Sequence, residues 1–265
     1  MASIFAITNQ KGGVGKTTTA VNLAAALAAG RINNNVLLVD MDPQGNATMG
    51  CGIDKHGVKA TSYEVLLREV DISEALHYSE SAQMQILPAN GDLTGAEVAL
   101  LDTQSGQLRL RESLHKVDAN FDFILIDCPP SLNMLTVNAL TAAQGVIIPI
   151  QCEYYALEGL SALIDTVGKV RRSTNPELRI EGLLRTMFDP RNRLANEVSD
   201  QLTEHFRDDV YSTIIPRNVR LAEAPSHGQP IIVYDSSSKG AESYLALAKE
   251  VRQRGRRANQ TKIAV

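Results

Sequence analysis

Residues 9–23, NQKGGVGKTTTAVNL, limit the fold more than any other part of the chain. Three glycines (Gly12, Gly13, Gly15), two lysines (Lys11, Lys16) and three consecutive threonines (17–19) crowd into them. A stretch that polar, with so free a backbone, is not there to pack a core. The apolar run SIFAIT (3–8) precedes it, and TTTAVNLAAALAA (17–29), alanine-rich with helical spacing, follows. The glycine-rich stretch therefore reads as the turn between a first strand and a first helix. In an open parallel sheet, ligands bind at the carboxyl ends of the strands, where such a turn lies.

The same alternation continues along the chain. VLLVDMD (36–42), QILPA (85–89), FILIDC (123–128), GVIIPIQ (145–151), IEGLLRTMF (180–188) and PIIVYD (230–235) read as further strands. Helical patterns lie between them at 108–117, 132–143, 157–173, 194–206 and 240–254. Near-continuous apolar strands are those buried on both faces, as in parallel sheets covered by helices. The expected fold is α/β, a doubly wound, mostly parallel central sheet flanked by helices. With 265 residues, 44% of them apolar, and no Pro-, Gly- or Ser-rich linker, one domain over 1–254 is expected. After 254 the tail GRRANQTKIAV (255–265) loses its apolar period and reads as a basic, flexible end.

Charge and cysteine content narrow the class. The 26 basic and 30 acidic residues give a net charge of −4, which argues against a chain coated in positive charge but not against a local basic patch. Cys51, Cys128 and Cys152 form no CxxC pair and suit reduced thiols in a cytosol, where they read as small apolar fillers. No secretion signal and no membrane span are read from the sequence, so a cytoplasmic location is expected.

The turn carries chemistry. GGVGKT (12–17) fits the end of G-x-x-x-x-G-K-[ST], except that the first glycine falls on Gln10. Glycines let successive backbone N–H groups curl around phosphate oxygens, and the helix N-terminus adds partial positive charge. Gly12, Gly13, Val14, Gly15 and Thr18 supply that backbone; Lys16 brings a full charge to the β- and γ-phosphates, and Thr17 can ligate Mg²⁺. Asp127 ends an apolar strand, where an acid would hold the water shell of Mg²⁺. Asp40 and Asp42 lie at another strand tip, and either could orient the attacking water or touch the metal shell.

KGGVGKTT, DMDPQGN and IDCPPS together resemble the deviant Walker-A ATPases, a branch of the P-loop NTPases. QCEYYALEGL (151–160) and IPRNVRLAEAPSHGQPI (215–231) resemble the ParA/Soj chromosome- and plasmid-partitioning ATPases in particular, and the resemblance covers about residues 2–252. It implies ATP and Mg²⁺ as ligands and a homodimer formed on ATP binding. Lys11 would reach across that dimer to the partner's nucleotide, Lys16 and Thr17 would serve the phosphates, Asp42 would position the hydrolytic water, and Asp127 would act through water on the metal. Pro216 and Asn218 would contact adenine. Arg191 and Arg220 would bind double-stranded DNA without sequence preference. A ParB/Spo0J-type centromere-binding protein would accelerate a slow hydrolysis, and the protein would sit on the nucleoid. One departure is GRINNN (30–35), longer than the family's usual turn there.

The residues themselves support DNA binding in part. From Pro216 to Lys262 there are nine Lys or Arg against four acids, a localised basic C-terminal stretch on an acidic chain. A solvated charged helix face reads equally well. No base-reading motif appears, so backbone contacts are expected. Two relatives of the fold stay in view. A MinD-type lipid-binding ATPase needs an amphipathic C-terminal helix, and the tail after Arg252 has only Ile263 and Val265 as sizeable apolar residues. A nitrogenase-type iron protein needs paired cysteines from two subunits for an iron–sulfur cluster.

Overall fold

The computed structural model describes residues 2–29 and 34–263, with side chains through residue 255. Eight strands form one sheet: β1 (Ser3–Ile7), β2 (Val36–Asp40), β3 (His77–Ser79), β4 (Met84–Leu87), β5 (Phe123–Asp127), β6 (Gly145–Gln151), β7 (Arg179–Phe188) and β8 (Val210–Pro216). Their spatial order is β3-β4-β2-β5-β1-β6-β7-β8. All neighbours pair in parallel except β3 with β4. The helices are α1 (Lys16–Ala28), α2 (Asn46–Gly50), α3 (Ser62–Leu67), α4 (Ile72–Ala75), α5 (Leu93–Leu101), α6 (Arg109–Leu114), α7 (Met134–Ala142), α8 (Ala156–Ser173), α9 (Arg193–Phe206), α10 (Val219–Glu223), α11 (Ile231–Tyr234) and α12 (Lys239–Ile263).

The central strands are apolar on both faces, and the pleat sends alternate residues to opposite sides. Ile4, Ala6, Leu37, Val39, Ile124 and Ile126 enter one core with α7 and α8. Phe5, Ile7, Val36, Leu38 and Leu125 enter the other with α1 and α12. The sheet is thus covered on both sides, the expected doubly wound, mostly parallel arrangement. The tips of β1, β5 and β2 come level: Ile7 is in register with Asp127, and Asp127 with Asp40. All the chemistry read from the sequence between Lys11 and Asp127 gathers at that rim.

The short strand β3 and the helices α2 to α5 and α10 are additions to the sequence reading, and three further segments differ from it. PIIVYD, expected as a strand, is the helical turn α11; Pro230 caps it, and the Ile231 amide donates to Asn22 Oδ1 on α1 at 2.6 Å. That bond removes a donor a ladder would need. β8 takes the place at the edge of the sheet and was not read as a strand, its polar Ser212 and Thr213 breaking the apolar run. The third is the C-terminal helix, expected to end at 254, whose backbone continues to Ile263. The added stretch lacks proline, and Arg256, Arg257, Ala258, Gln260 and Lys262 are good helix formers, so the helix outlasts its apolar period. Arg256, Arg257 and Lys262, counted in the basic C-terminal stretch, have side chains outside the described residues, as do Ile263 and Val265; GRINNN overlaps the undescribed 30–33.

Candidate nucleotide site

The loop after β1 has the geometry of an anion cradle. Gly13 (φ 74°) and Gly15 (φ 86°) both take the left-handed conformation that glycine adopts without steric cost. No side chain caps α1, whose first residue is Lys16, so its N-terminal amides stay available to an anion. The loop is braced from outside. Asn9 Nδ2 donates to the Pro149 carbonyl on β6 at 2.8 Å while its Oδ1 accepts from the Lys11 amide at 3.0 Å.

Its two lysines have different surroundings. Lys16 is buried, and its Nζ donates to the Lys11 carbonyl across the loop at 3.1 Å. Burial lowers its pKa, and the nearby Asp127 pulls the other way. Lys11 lies on the rim with its side chain 40% exposed, its ammonium bonded to the Glu153 carboxylate just past β6.

Three acids face the cradle from adjacent strand tips. Asp127 is fully buried, and neither carboxylate oxygen has a hydrogen-bond partner. Burial pushes its pKa well above the carboxylate range, the Asp40 charge adds to this, and Thr17 and Lys16 oppose it. An unpartnered buried carboxylate beside Thr17 fits the water shell of a divalent cation, whose charge would offset that cost. Among the described residues no three His, Cys, Asp or Glu side chains group as a metal site. A metal there would thus take its other ligands from Thr17, phosphate and water, as Mg²⁺ commonly does.

Asp40 differs. Its Oδ2 accepts from the Thr48 amide (2.9 Å) and hydroxyl (2.7 Å), and its Oδ1 from the Asp42 amide (3.1 Å). Burial still pushes it up to about 6 against those bonds. Both oxygens are thus engaged, and Asp40 ties β2 to α2. Asp42 is buried at the start of the following turn and accepts from the Gln44 amide at 2.9 Å.

Beside the cradle is a cavity of about 330 Å³ lined by Gly15, Thr18, Met187, Pro216, Asn218 and Tyr244. Pro216 and Asn218 therefore share one apolar pocket with the phosphate loop. Asn218 Oδ1 caps α10 by accepting from the Leu221 amide at 3.1 Å. Tyr244, buried on α12, is within 3.2 Å of the Thr19 hydroxyl and closes the floor. Arg191 and Arg220 follow the adjacent strands β7 and β8, whose ends Phe188 and Pro216 are in register. Both are exposed and ion-paired: Arg191 doubly with Asp189 (2.9 and 2.8 Å), Arg220 with Glu223 (2.9 Å) and Asp235 (3.5 Å). The three cysteines are buried, and burial pushes every one of their pKa values up.

Sequence reasoning missed Glu153, Thr48, Met187 and Tyr244. Glu153 lay inside the quoted QCEYYALEGL string, but nothing local marks it as a partner for Lys11. The others are reached only through the fold.

Comparison with known proteins agrees with this geometry. An AAA domain family model matches residues 2–180. The chain is 54% identical to the sporulation initiation inhibitor protein Soj of Bacillus subtilis, over 96% of this chain and all of that one. It is also 54% identical to the chromosome partitioning protein ParA of Myxococcus xanthus, over 95% and 88% of the two chains. Among solved structures, cobyrinic acid a,c-diamide synthase of Mycobacterium smegmatis with bound ADP and magnesium superposes with a TM-score of 0.82 at 39% identity, covering 94% of this chain and 93% of that one. The chain belongs to the ParA/Soj family of partitioning ATPases.

Proposed function

We propose that this protein is an ATP-driven dimerisation switch for chromosome or plasmid partitioning. ATP with Mg²⁺ occupies the loop after β1, two copies close around the nucleotides, and the closed dimer holds double-stranded DNA without sequence preference. Hydrolysis reopens it, slowly alone and faster with a ParB/Spo0J-type centromere-binding partner. The two partitioning relatives, at 54% identity, favour this role over that of the synthase at 39%.

The observation that carries the reading is the separation of the two lysines. Lys16 is buried inside the cradle, while Lys11 stands outside it on the rim, bonded to Glu153. A cation on the rim reaches phosphate from the outside, across the interface of a second copy. Nucleotide that bridges two subunits in this way favours the dimer by mass action.

The chain's own groups divide the work. The amides of residues 12–18 and the Lys16 ammonium bind the phosphates and offset the charge that develops on them. Bound Mg²⁺ supplies further charge neutralisation, held by the Thr17 hydroxyl and, through water, by Asp127. Asp42 accepts a hydrogen bond from the attacking water and aims it at the terminal phosphate. Pro216 and Asn218 hold the adenine, and the apolar cavity excludes water from it. Arg191 and Arg220 exchange their carboxylate partners for DNA phosphates. The location that follows is cytoplasmic, on the nucleoid.

A direct test is DNA retention with ATP, with ADP, and with ATP and the Lys16→Ala variant. Retention only in the first arm is expected; equal retention in all three refutes the switch. Among the described residues no helix is long and apolar enough to cross a membrane. Sedimentation with anionic liposomes addresses surface association of the MinD type, and ATP-dependent pelleting with lipid in place of DNA would favour that reading.

A further inference from the structure

The phosphate loop is held from β7 as well as from β6. Thr186 on β7, 172 positions beyond Val14 in the chain, donates its hydroxyl to the Val14 carbonyl at 2.8 Å. Both residues are buried, with Thr186 at 2% and Val14 at 1% exposure, so no solvent competes for the bond. Two other loop carbonyls take donors from the loop and its helix: Lys11 from Lys16 Nζ, and Gly15 from the Thr19 amide in the first turn of α1. Among the described residues, Val14 is the one loop carbonyl that takes its donor from a distant strand.

The bond bears on phosphate binding because the peptide unit is rigid and planar. The Val14 carbonyl and the Gly15 amide belong to one peptide and point to opposite sides. With the carbonyl turned to β7, the Gly15 N–H faces away from β7, toward the cradle. Gly15 (φ 86°) has no side chain to resist rotation of that peptide, so something outside the loop has to set it. A second feature shows that β7 is shaped for this task. Its pairing with β8 shifts register between Arg185 and Phe188, and Met187 takes a left-handed conformation (φ 48°), strained for a side chain with a Cβ. The kink turns Thr186 onto the loop and Met187 into the apolar cavity, where its Cε comes within 4.0 Å of the place a Gly15 Cβ would occupy.

We infer that Thr186 is a positioning residue for phosphate: its hydroxyl fixes the Val14–Gly15 peptide so that the Gly15 amide is aimed before nucleotide arrives. The inference rests on the loop being the triphosphate site and is independent of dimerisation and DNA binding. Without the hydroxyl, the Val14 carbonyl is a buried acceptor with no donor, a costly state that rotating the peptide relieves. Binding must then turn the peptide back, and affinity falls by that amount.

The test is calorimetric titration of the full chain with ADP and with inorganic tripolyphosphate, each with Mg²⁺, beside thermal unfolding of the unliganded protein. Thr186→Val removes the donor at nearly constant shape, and Thr186→Ser keeps it. Thr186→Val should weaken both ligands by the same factor, about tenfold, with Thr186→Ser close to the parent. Asn218→Ala, in the base pocket, should weaken ADP and spare tripolyphosphate, which separates cradle from pocket. If Thr186→Val lowers the unfolding temperature but leaves both dissociation constants unchanged, Thr186 only supports the fold and the inference is overturned. Equal weakening by Val and Ser would overturn it as well. Should the Val variant fail to fold, Thr186→Cys supplies a weaker donor: affinity for tripolyphosphate falling from Thr and Ser to Cys supports the role, and equal affinity for Ser and Cys rejects it. A parent chain that bound neither ligand would instead overturn the assignment of the loop itself.

Discussion

The Lys11 ammonium and the Glu153 carboxylate of the same chain are bonded to each other at the mouth of the phosphate loop, Lys11 just past β1 and Glu153 just past β6. In the proposed dimer Lys11 serves the partner's nucleotide, so it has to leave Glu153. The pair is half exposed, and such pairs contribute about 0–1 kcal/mol. Glu153→Gln should therefore lower the concentration of non-hydrolysable ATP analogue needed for half-maximal dimerisation by about two- to fivefold. Light scattering across an analogue titration measures it. An unchanged or higher midpoint would mean that the two carboxylate oxygens do not compete with the partner's phosphate.

Asp42 is buried beside the cradle and held in place through the Gln44 amide, while Asp40 anchors the start of the same turn through Thr48. Asp42→Ala should keep ATP binding and dimerisation and lose turnover by about a hundredfold or more. Phosphate release and nucleotide retention on the same sample check both halves. Turnover at the parent rate would remove Asp42 from the reaction.

Much of this site was legible in the sequence because its signals are local. Gly12 to Thr17 are contiguous, and the acids Asp40 and Asp127 end apolar runs that pair in one register. Which acid does what was not legible. Asp40 and Asp127 look alike as strand-ending aspartates, and only the fold shows that Thr48 holds one of them through two bonds while the other faces Thr17 and Lys16 of the phosphate loop. The bonds of Lys11 with Glu153 and of Val14 with Thr186 span 142 and 172 residues, beyond the reach of any spacing rule. PIIVYD misled for a related reason: its apolar content suits a strand, but Asn22 of α1 claims its first amide.

Arg191 and Arg220 are exposed at the ends of adjacent strands, each paired with acids that DNA phosphates would replace. Arg220→Ala and Arg191→Ala should each weaken DNA binding across all sequences and reduce the slope of log affinity against log salt by about one. Fluorescence anisotropy with unrelated duplexes at several salt concentrations reads this. A loss confined to one duplex sequence, or an unchanged slope, would point away from phosphate contacts.

Glu181 is a buried carboxylate on β7 whose pKa burial raises, the nearby Arg179 opposing the shift through a 2.9 Å bond. Between the ordinary carboxylate pKa and the raised one, the folded chain keeps a proton that the unfolded chain has lost. Stability from this residue therefore falls as pH rises through that window. The unfolding temperature of Glu181→Gln relative to the parent should climb as pH rises from the ordinary carboxylate range through the raised one. A difference that shrinks over that range would reverse the assigned sign.

In the proposed switch, nucleotide joins two copies through a loop whose two lysines serve different subunits. The direct measurement is solution mass by light scattering with Mg²⁺ and a non-hydrolysable ATP analogue, compared with ADP, for the parent, Lys11→Ala and Lys16→Ala. The account predicts twice the mass of the 28.8 kDa chain for the parent with the analogue alone, and the mass of a single chain in every other arm. A parent mass that ignores the nucleotide, or a Lys11→Ala variant that dimerises as the parent does, would contradict it.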